Sequence, residues 1–175
     1  MEFSIGNVRV QAAFVNHPGI CVGYRLHTRH GSIAYLPDNE PCYRLRSKPD
    51  TELFFQAGAT EFAQAEDAKL IEFLHGTDIL VIDAQYDAEE YKSHIGWGHG
   101  CVDDVVTLAL RAQVKRLYLF HHDPEHDDAK ISQMVEHARQ LAAAQGSSIV
   151  IEAAREGEVC ELVPLVNVEP IVQPG

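Results

Sequence analysis

The sequence is short of positive charge: 14 Lys and Arg stand against 26 Asp and Glu, a formal net charge of −12. Such a surface repels polyanions unless its basic residues are concentrated, which disfavours a nucleic acid as a stable partner. Long apolar runs are missing as well. No segment approaches about eighteen consecutive apolar residues, and Met1 to Val10 has no basic start followed by an apolar stretch, which argues against a membrane span and a secretory leader. Cys21, Cys42, Cys101 and Cys160 are scattered, with no Cys-x-x-Cys pair. Reduced thiols in a cytoplasm are therefore expected, not disulfides or a structural zinc. With only 12 glycines and 8 prolines in 175 residues, collagen-like and low-complexity classes are excluded. The chain also has no Gly-x-x-x-x-Gly-Lys-Ser/Thr phosphate loop, no Gly-x-Gly-x-x-Gly after a strand, no Gly-x-Ser-x-Gly elbow and no His-Glu-x-x-His.

What remains is a chain that should fold around one core, with 46% apolar and 23% charged residues. We read residues 1–162 as one domain and 163–175, with three prolines and no periodicity, as a tail following the surface. Two β-like runs flank Gly6-Asn7, a dipeptide suited to a tight hairpin, and Cys21–His27 and Ser32–Leu36 continue an antiparallel meander. Pro37–Pro49 reads as a loop, and Thr51–Gln64 is open between loop and short helix. Helix and strand then alternate. Glu66–His75 has helical spacing before the Asp78–Ala84 strand, Val102–Ala112 precedes Lys115–His121, and a helix capped by Asp127 or Asp128 precedes Ile149–Ala153. The expected fold class is α/β: a mixed sheet, extended by the meander and flanked by helices.

Ten histidines are the compositional oddity, because imidazole is a common metal ligand and titrates near neutrality. His17, in Asn16-His17-Pro18-Gly19, follows a strand, as do Asp38 and the pair His121-His122. Two histidines and a carboxylate at strand ends suit a divalent transition metal, although the same residues could simply hydrogen-bond turns. His99 sits in the glycine-rich stretch Gly96-Trp97-Gly98-His99-Gly100, where it could donate a proton, and Asp83 ends a strand, where it could orient that ring. Equally, the two could be a loop histidine and a strand-end carboxylate with no chemistry. His27, His30, His75, His94, His126 and His137 have polar neighbours and are expected to be solvated.

The ordered set His17-Pro18-Gly19, Asp38-Asn39-Glu40, Asp83-Ala84-Gln85-Tyr86, Gly96-Trp97-Gly98-His99 and Leu119-Phe120-His121-His122-Asp123-Pro124 resembles the later part of metallo-β-lactamase-fold hydrolases. It is nearest to the branch with RNase Z and related phosphodiesterases, and covers about residues 3 to 162. The resemblance implies half of an αββα sandwich. It also implies that His17 ligates one metal, Asp38 bridges two, and His121 ligates the other, with His122 the alternative if the register shifts by one. His99 becomes the proton donor to the leaving oxygen and Asp83 its acidic partner. Zinc, manganese or iron, as one or two ions, would activate water for attack on a phosphodiester or other small-molecule ester.

The family's first signature, His-x-His-x-Asp-His, does not occur in these residues. Three ligands shared between two ions leave each short of protein donors, and a missing half leaves an apolar sheet face to be covered. Self-association as a homodimer, or completion by an N-terminal half from another chain, is the expectation. The competing function is a truncated, non-catalytic binding or assembly module that keeps the fold.

Overall fold

The computed structural model describes residues 1–42 and 56–162, excluding the side chains of 56–60. The expectations for residues 43–55 and for the tail 163–175 lie outside the described residues. Four strands come first: β1 (Glu2–Ile5), β2 (Val8–Phe14), β3 (Val22–Thr28) and β4 (Gly31–Leu36), each antiparallel to the next. Gly6 turns the first hairpin at φ 56°, a left-handed conformation that glycine adopts at little cost. The chain then changes habit. α1 (Gln56–Leu74), β5 (Ile79–Asp83), α2 (Ala88–His94), α3 (Val102–Arg111), β6 (Arg116–Phe120), α4 (Asp128–Ala144) and β7 (Val150–Ala153) follow. β4 to β7 pair in parallel, and the sheet order is β1 to β7 in sequence.

Sequential parallel strands joined by right-handed crossovers place α1, α3 and α4 on one face. Side chains alternate across a strand, so Ala34 and Leu36 of β4, Leu80 and Ile82 of β5, and Leu117 and Leu119 of β6 meet that helical layer. There they pack with Leu74, Val105, Val106, Ala109, Met134 and Ala138. Arg25 of β3 reaches the same side and donates to the Phe73 carbonyl at 2.7 Å, placing a cation on the C-terminal end of α1.

One element takes the helical side of an open expectation and another is additional. α1 begins at Gln56, well before Glu66, because the preceding alanine-rich stretch favours helix without supplying a bulky apolar period. α2 is additional and rests on a capping box: the Asp87 side chain accepts from the Glu89 and Glu90 backbone, and Glu90 returns a bond to the Asp87 N–H.

The opposite sheet face is apolar and lacks a helical layer among the described residues. The register aligns Phe3 with Val10, Val10 with Leu26, Leu26 with Ile33 and Ile33 with Ile79. At the β5–β7 end the chain folds back over this face. Arg155, Glu158 and Cys160 help line a cleft of about 190 Å³ with Val81 and Tyr118. Towards β1 the face stays open, exposing Phe3, Ile5, Phe14 and Tyr24. No helix among the described residues is long and apolar enough to cross a membrane.

Candidate active site

β2 runs parallel to β4, and both run with β5 and β6, so their C-terminal ends share one edge of the sheet. Ligands of open α/β sheets bind at such edges. His17 follows β2, Asp38 follows β4, Asp83 closes β5 and His121 follows β6. The loop between α2 and α3 supplies His99.

Asp83 is fully buried, and four donors satisfy its carboxylate. Oδ2 accepts from His99 Nδ1 at 2.8 Å and from the Asn39 N–H at 3.3 Å. Oδ1 accepts from the N–H groups of Gln85 and Gly100, at 3.1 and 3.2 Å. A carboxylate only accepts, so Nδ1 of His99 carries the proton and Nε2 is left for other work. The hydrogen bond that His99 donates to Asp83 holds its imidazole above its ordinary titration range, outweighing burial and helped by the charges of Asp83, Asp38 and Glu40.

The His99 ring stacks on His121, with centroids 4.8 Å apart and an interplanar angle of 11°, and meets His17 edge-on at 5.5 Å. His121 Nε2 stands 3.5 Å from Asp38 Oδ1. One ligand atom from each of Asp38, Asp83, His99 and His121 falls in a group no wider than 4.8 Å. His17 lies beside this group and outside it, with Nδ1 3.1 Å from the Gly98 carbonyl. His122 is turned away: both its ring nitrogens are buried without partners among the described residues, and burial lowers its affinity for a proton. The structure therefore brings Asp38, Asp83, His99 and His121 together, sets His17 alongside, and leaves His122 apart.

Backbone geometry maintains this crowding. Gly98 has φ 95°, and a Cβ there would fall 2.3 Å from His17 Nδ1. At Gly100 a Cβ would fall 2.3 Å from the Asp83 carbonyl oxygen. The two glycines flanking His99 thus let its loop approach both neighbours. His121 is itself left-handed at φ 58°, an uncommon conformation for a residue with a side chain and one that clusters at functional sites.

Asp38 and His121 offer a carboxylate and an imidazole, ordinary donors for zinc, manganese or iron, with the His17 ring alongside, while Asp83 and His99 are committed to each other. His121 Nδ1 is also buried without a hydrogen-bond partner among the described residues, so an uncommitted ligand atom is present. The residues fit a divalent ion.

Sequence reasoning missed part of the site. Asn16, Asn39 and Glu40 bind the His17 and Asp38 loops together: Asn16 N–H donates to Asn39 Oδ1, Asn16 Nδ2 to the Glu40 carbonyl, and Glu40 N–H to the Asn16 carbonyl. Their only signal was position beside His17 or Asp38. Three histidines expected in solvent are withdrawn from it: His27 is half-buried in β3 and bonds Gln11 Oε1 at 2.8 Å. His126, with a side chain 8% exposed, bonds Glu90 at 3.0 Å, and His94 stacks on Tyr86 at 4.3 Å. His94 ends α2, the unexpected helix, and His126 packs against it.

No family model matches the chain. In structure it is similar to the metallo-β-lactamase-fold protein YhfI from Bacillus subtilis, with TM-score 0.64 and 17% identity over 92% of this chain and 52% of that one. It is likewise similar to the short form of human tRNase Z, with TM-score 0.56 and 16% identity over 91% of this chain and 44% of the other. The chain is an α/β protein of the metallo-β-lactamase fold. In sequence it is ribonuclease Z-like: 62 residues, 34% of this chain and 20% of the relative, are 39% identical to Ribonuclease Z of Sulfurisphaera tokodaii. The chain spans about half the length of the YhfI structure, and the matched stretch is about a fifth of the ribonuclease.

Proposed function

We propose that this chain is a metal-dependent, phosphodiesterase-like hydrolase in which Asp38, His121 and His17 hold one or two divalent ions, zinc first and manganese or iron as alternates. His99, backed by Asp83, gives a proton to the leaving oxygen. The observation that carries this reading is the His99–Asp83 pair standing against His121 and Asp38 at one sheet edge. A divalent ion in such a site polarises phosphoryl oxygens and helps generate a nucleophile from water.

The chain's own residues supply the remaining chemistry. Asp83 fixes the tautomer and orientation of His99, so that Nε2 exchanges the proton. Because that ring holds its proton more firmly than a free imidazole, it can act as an acid near neutral pH. The likeness to ribonuclease Z and tRNase Z supports a phosphodiester as the substrate class. Three ligands for two ions leave the site short of donors, and a second copy of this chain or a separate N-terminal half completes it in our reading. The cytoplasmic setting in our reading rests on the scattered spacing of Cys21, Cys42, Cys101 and Cys160 in the sequence.

Metal analysis of the purified chain, combined with turnover of a chromogenic phosphodiester, tests the proposal. Stoichiometric metal that is lost in Asp38→Ala is expected, with turnover falling roughly 100-fold or more in His99→Ala while metal is retained. A chain with neither metal nor turnover would falsify it. The second reading, an assembly module without turnover, is favoured by the open apolar face, and the same assay separates the two.

A further inference from the structure

Glu40 lies two residues beyond Asp38 and is 1% exposed, yet it is far too polar to be core filling. Three donors meet its carboxylate. Tyr91 Oη–H of α2 and the Gly96 N–H, at 2.7 Å, donate to Oε1, and the Gly98 N–H donates to Oε2 at 2.8 Å. Gly96 and Gly98 are both left-handed, at φ 87° and 95°, which lets their N–H groups converge on one acceptor. The Gly98 carbonyl in turn accepts from His17 Nδ1, and the next residue is His99. Through its own backbone Glu40 also pairs with Asn16, the neighbour of His17.

One residue therefore ties three loops together: its backbone joins the loop of Asp38 to the loop of His17, and its buried carboxylate grips the loop of His99. Hydrophobic packing holds only the ends of this loop, Ile95 and Cys101 against Tyr86 and Tyr91, because Gly96, Gly98 and Gly100 between them offer no side chains and Trp97 is exposed. A charged acceptor in a dry setting makes stronger bonds than a neutral one, and losing the charge leaves donors poorly paired.

We propose that Glu40 is a positioning residue whose buried carboxylate, gripped by Tyr91, Gly96 and Gly98, sets the backbone that places His99 and orients His17. It deepens the metallo-hydrolase reading and rests on it for the consequence in turnover, but not for the geometry. An amide in its place keeps the size, loses the charge and turns one N–H-bearing end towards donors. Asp83, which accepts from His99 Nδ1 and the Gly100 N–H, and the backbone bond from Tyr86 N–H to the Gly100 carbonyl then have to hold the His99 loop.

The test uses Glu40→Gln in the full chain, with histidine-ring NMR in the metal-free protein and zinc titration as separate readouts. The expected result is a cooperative fold with displaced ring resonances for His17 and His99, unchanged resonances for the distant His30 and His137, and zinc affinity lowered about 10- to 100-fold, as losses behind metal ligands commonly are. Unmoved His17 and His99 resonances would overturn the proposal. If Glu40→Gln fails to fold, Tyr91→Phe decides: it deletes one of the three donors and should move the same two rings by a smaller amount, and no movement counts against Glu40. The two ideas fail separately. A wild-type chain that binds no zinc ends the hydrolase reading, while the ring resonances still judge the role of Glu40.

Discussion

His121 combines a left-handed backbone with a ring that stacks on His99 and stands 3.5 Å from Asp38. A residue with a Cβ pays about 1–2 kcal/mol in that conformation, and glycine nearly nothing. The ring is half-exposed, so burial returns little of that cost. The geometry is explained if the turn aims the imidazole into the site at the expense of stability. We expect His121→Gly to raise the urea-unfolding free energy of the metal-free chain by up to about 1 kcal/mol while abolishing zinc binding. A less stable His121→Gly protein would show that the turn is not strained. This device was hidden from the sequence. Leu119-Phe120-His121-His122 displays the imidazoles, but nothing in the string says which has the left-handed backbone. Glu40 was hidden for a related reason: its partners are two backbone N–H groups and a tyrosine, 51 to 58 residues away.

Among the elements, the parallel strands were legible because the stretches Ile79–Ile82 and Leu117–Phe120 within Asp78–Ala84 and Lys115–His121 are continuously apolar. α2 was not, since seven residues leave no room for an apolar period and its stabilising feature is the Asp87-x-x-Glu90 box. The loop after it makes a sharper prediction. Gly98→Ala meets both a positive φ and a Cβ 2.3 Å from His17, whereas Gly76→Ala meets φ 68° with nothing within 4 Å. Both should lose about 1–2 kcal/mol to backbone strain. Only Gly98→Ala should also displace the His17 ring and weaken metal binding, which NMR and zinc titration can check. α2 is further tied to α4 by Lys130, which pairs with Asp87 at 2.5 Å and Glu90 at 2.9 Å. Burial opposes ionisation of both carboxyls, but Lys130 and the capping N–H groups outweigh it and hold them below their ordinary values of 3.8 and 4.5. A carboxyl depressed in the folded state contributes stability above its unfolded value, and that contribution is lost as pH falls through the lower, folded one. Acid unfolding should therefore begin below about pH 4.5. Lys130→Met should shift its midpoint upward, as circular dichroism along an acid titration can measure.

For the whole molecule, the helix-covered face and the open face have opposite fates. The first holds the core, and the second presents Phe3, Ile5, Phe14 and Tyr24 on β1–β3, with Ile5 67% and Phe14 80% exposed. Ala154, Arg155, Glu158 and Cys160 already line the cleft over the β5–β7 end. Contiguous apolar surface on the remaining strands is costly in water and marks an interaction site. Scattered charge cannot relieve it, because strand alternation sends Glu2, Arg9 and Gln11 to the other side, where they bond one another. A second copy is the partner available to a single gene product, and two-fold pairing would bury the same residues from both chains in one self-complementary contact. The charge of −12 works against this association at long range, so added salt should strengthen the dimer by screening while leaving the apolar contact intact. Sedimentation equilibrium at micromolar concentration should find a dimer that tightens with salt. Phe14→Glu should turn it into a monomer with unchanged circular dichroism, and a wild-type monomer at those concentrations would refute the pairing.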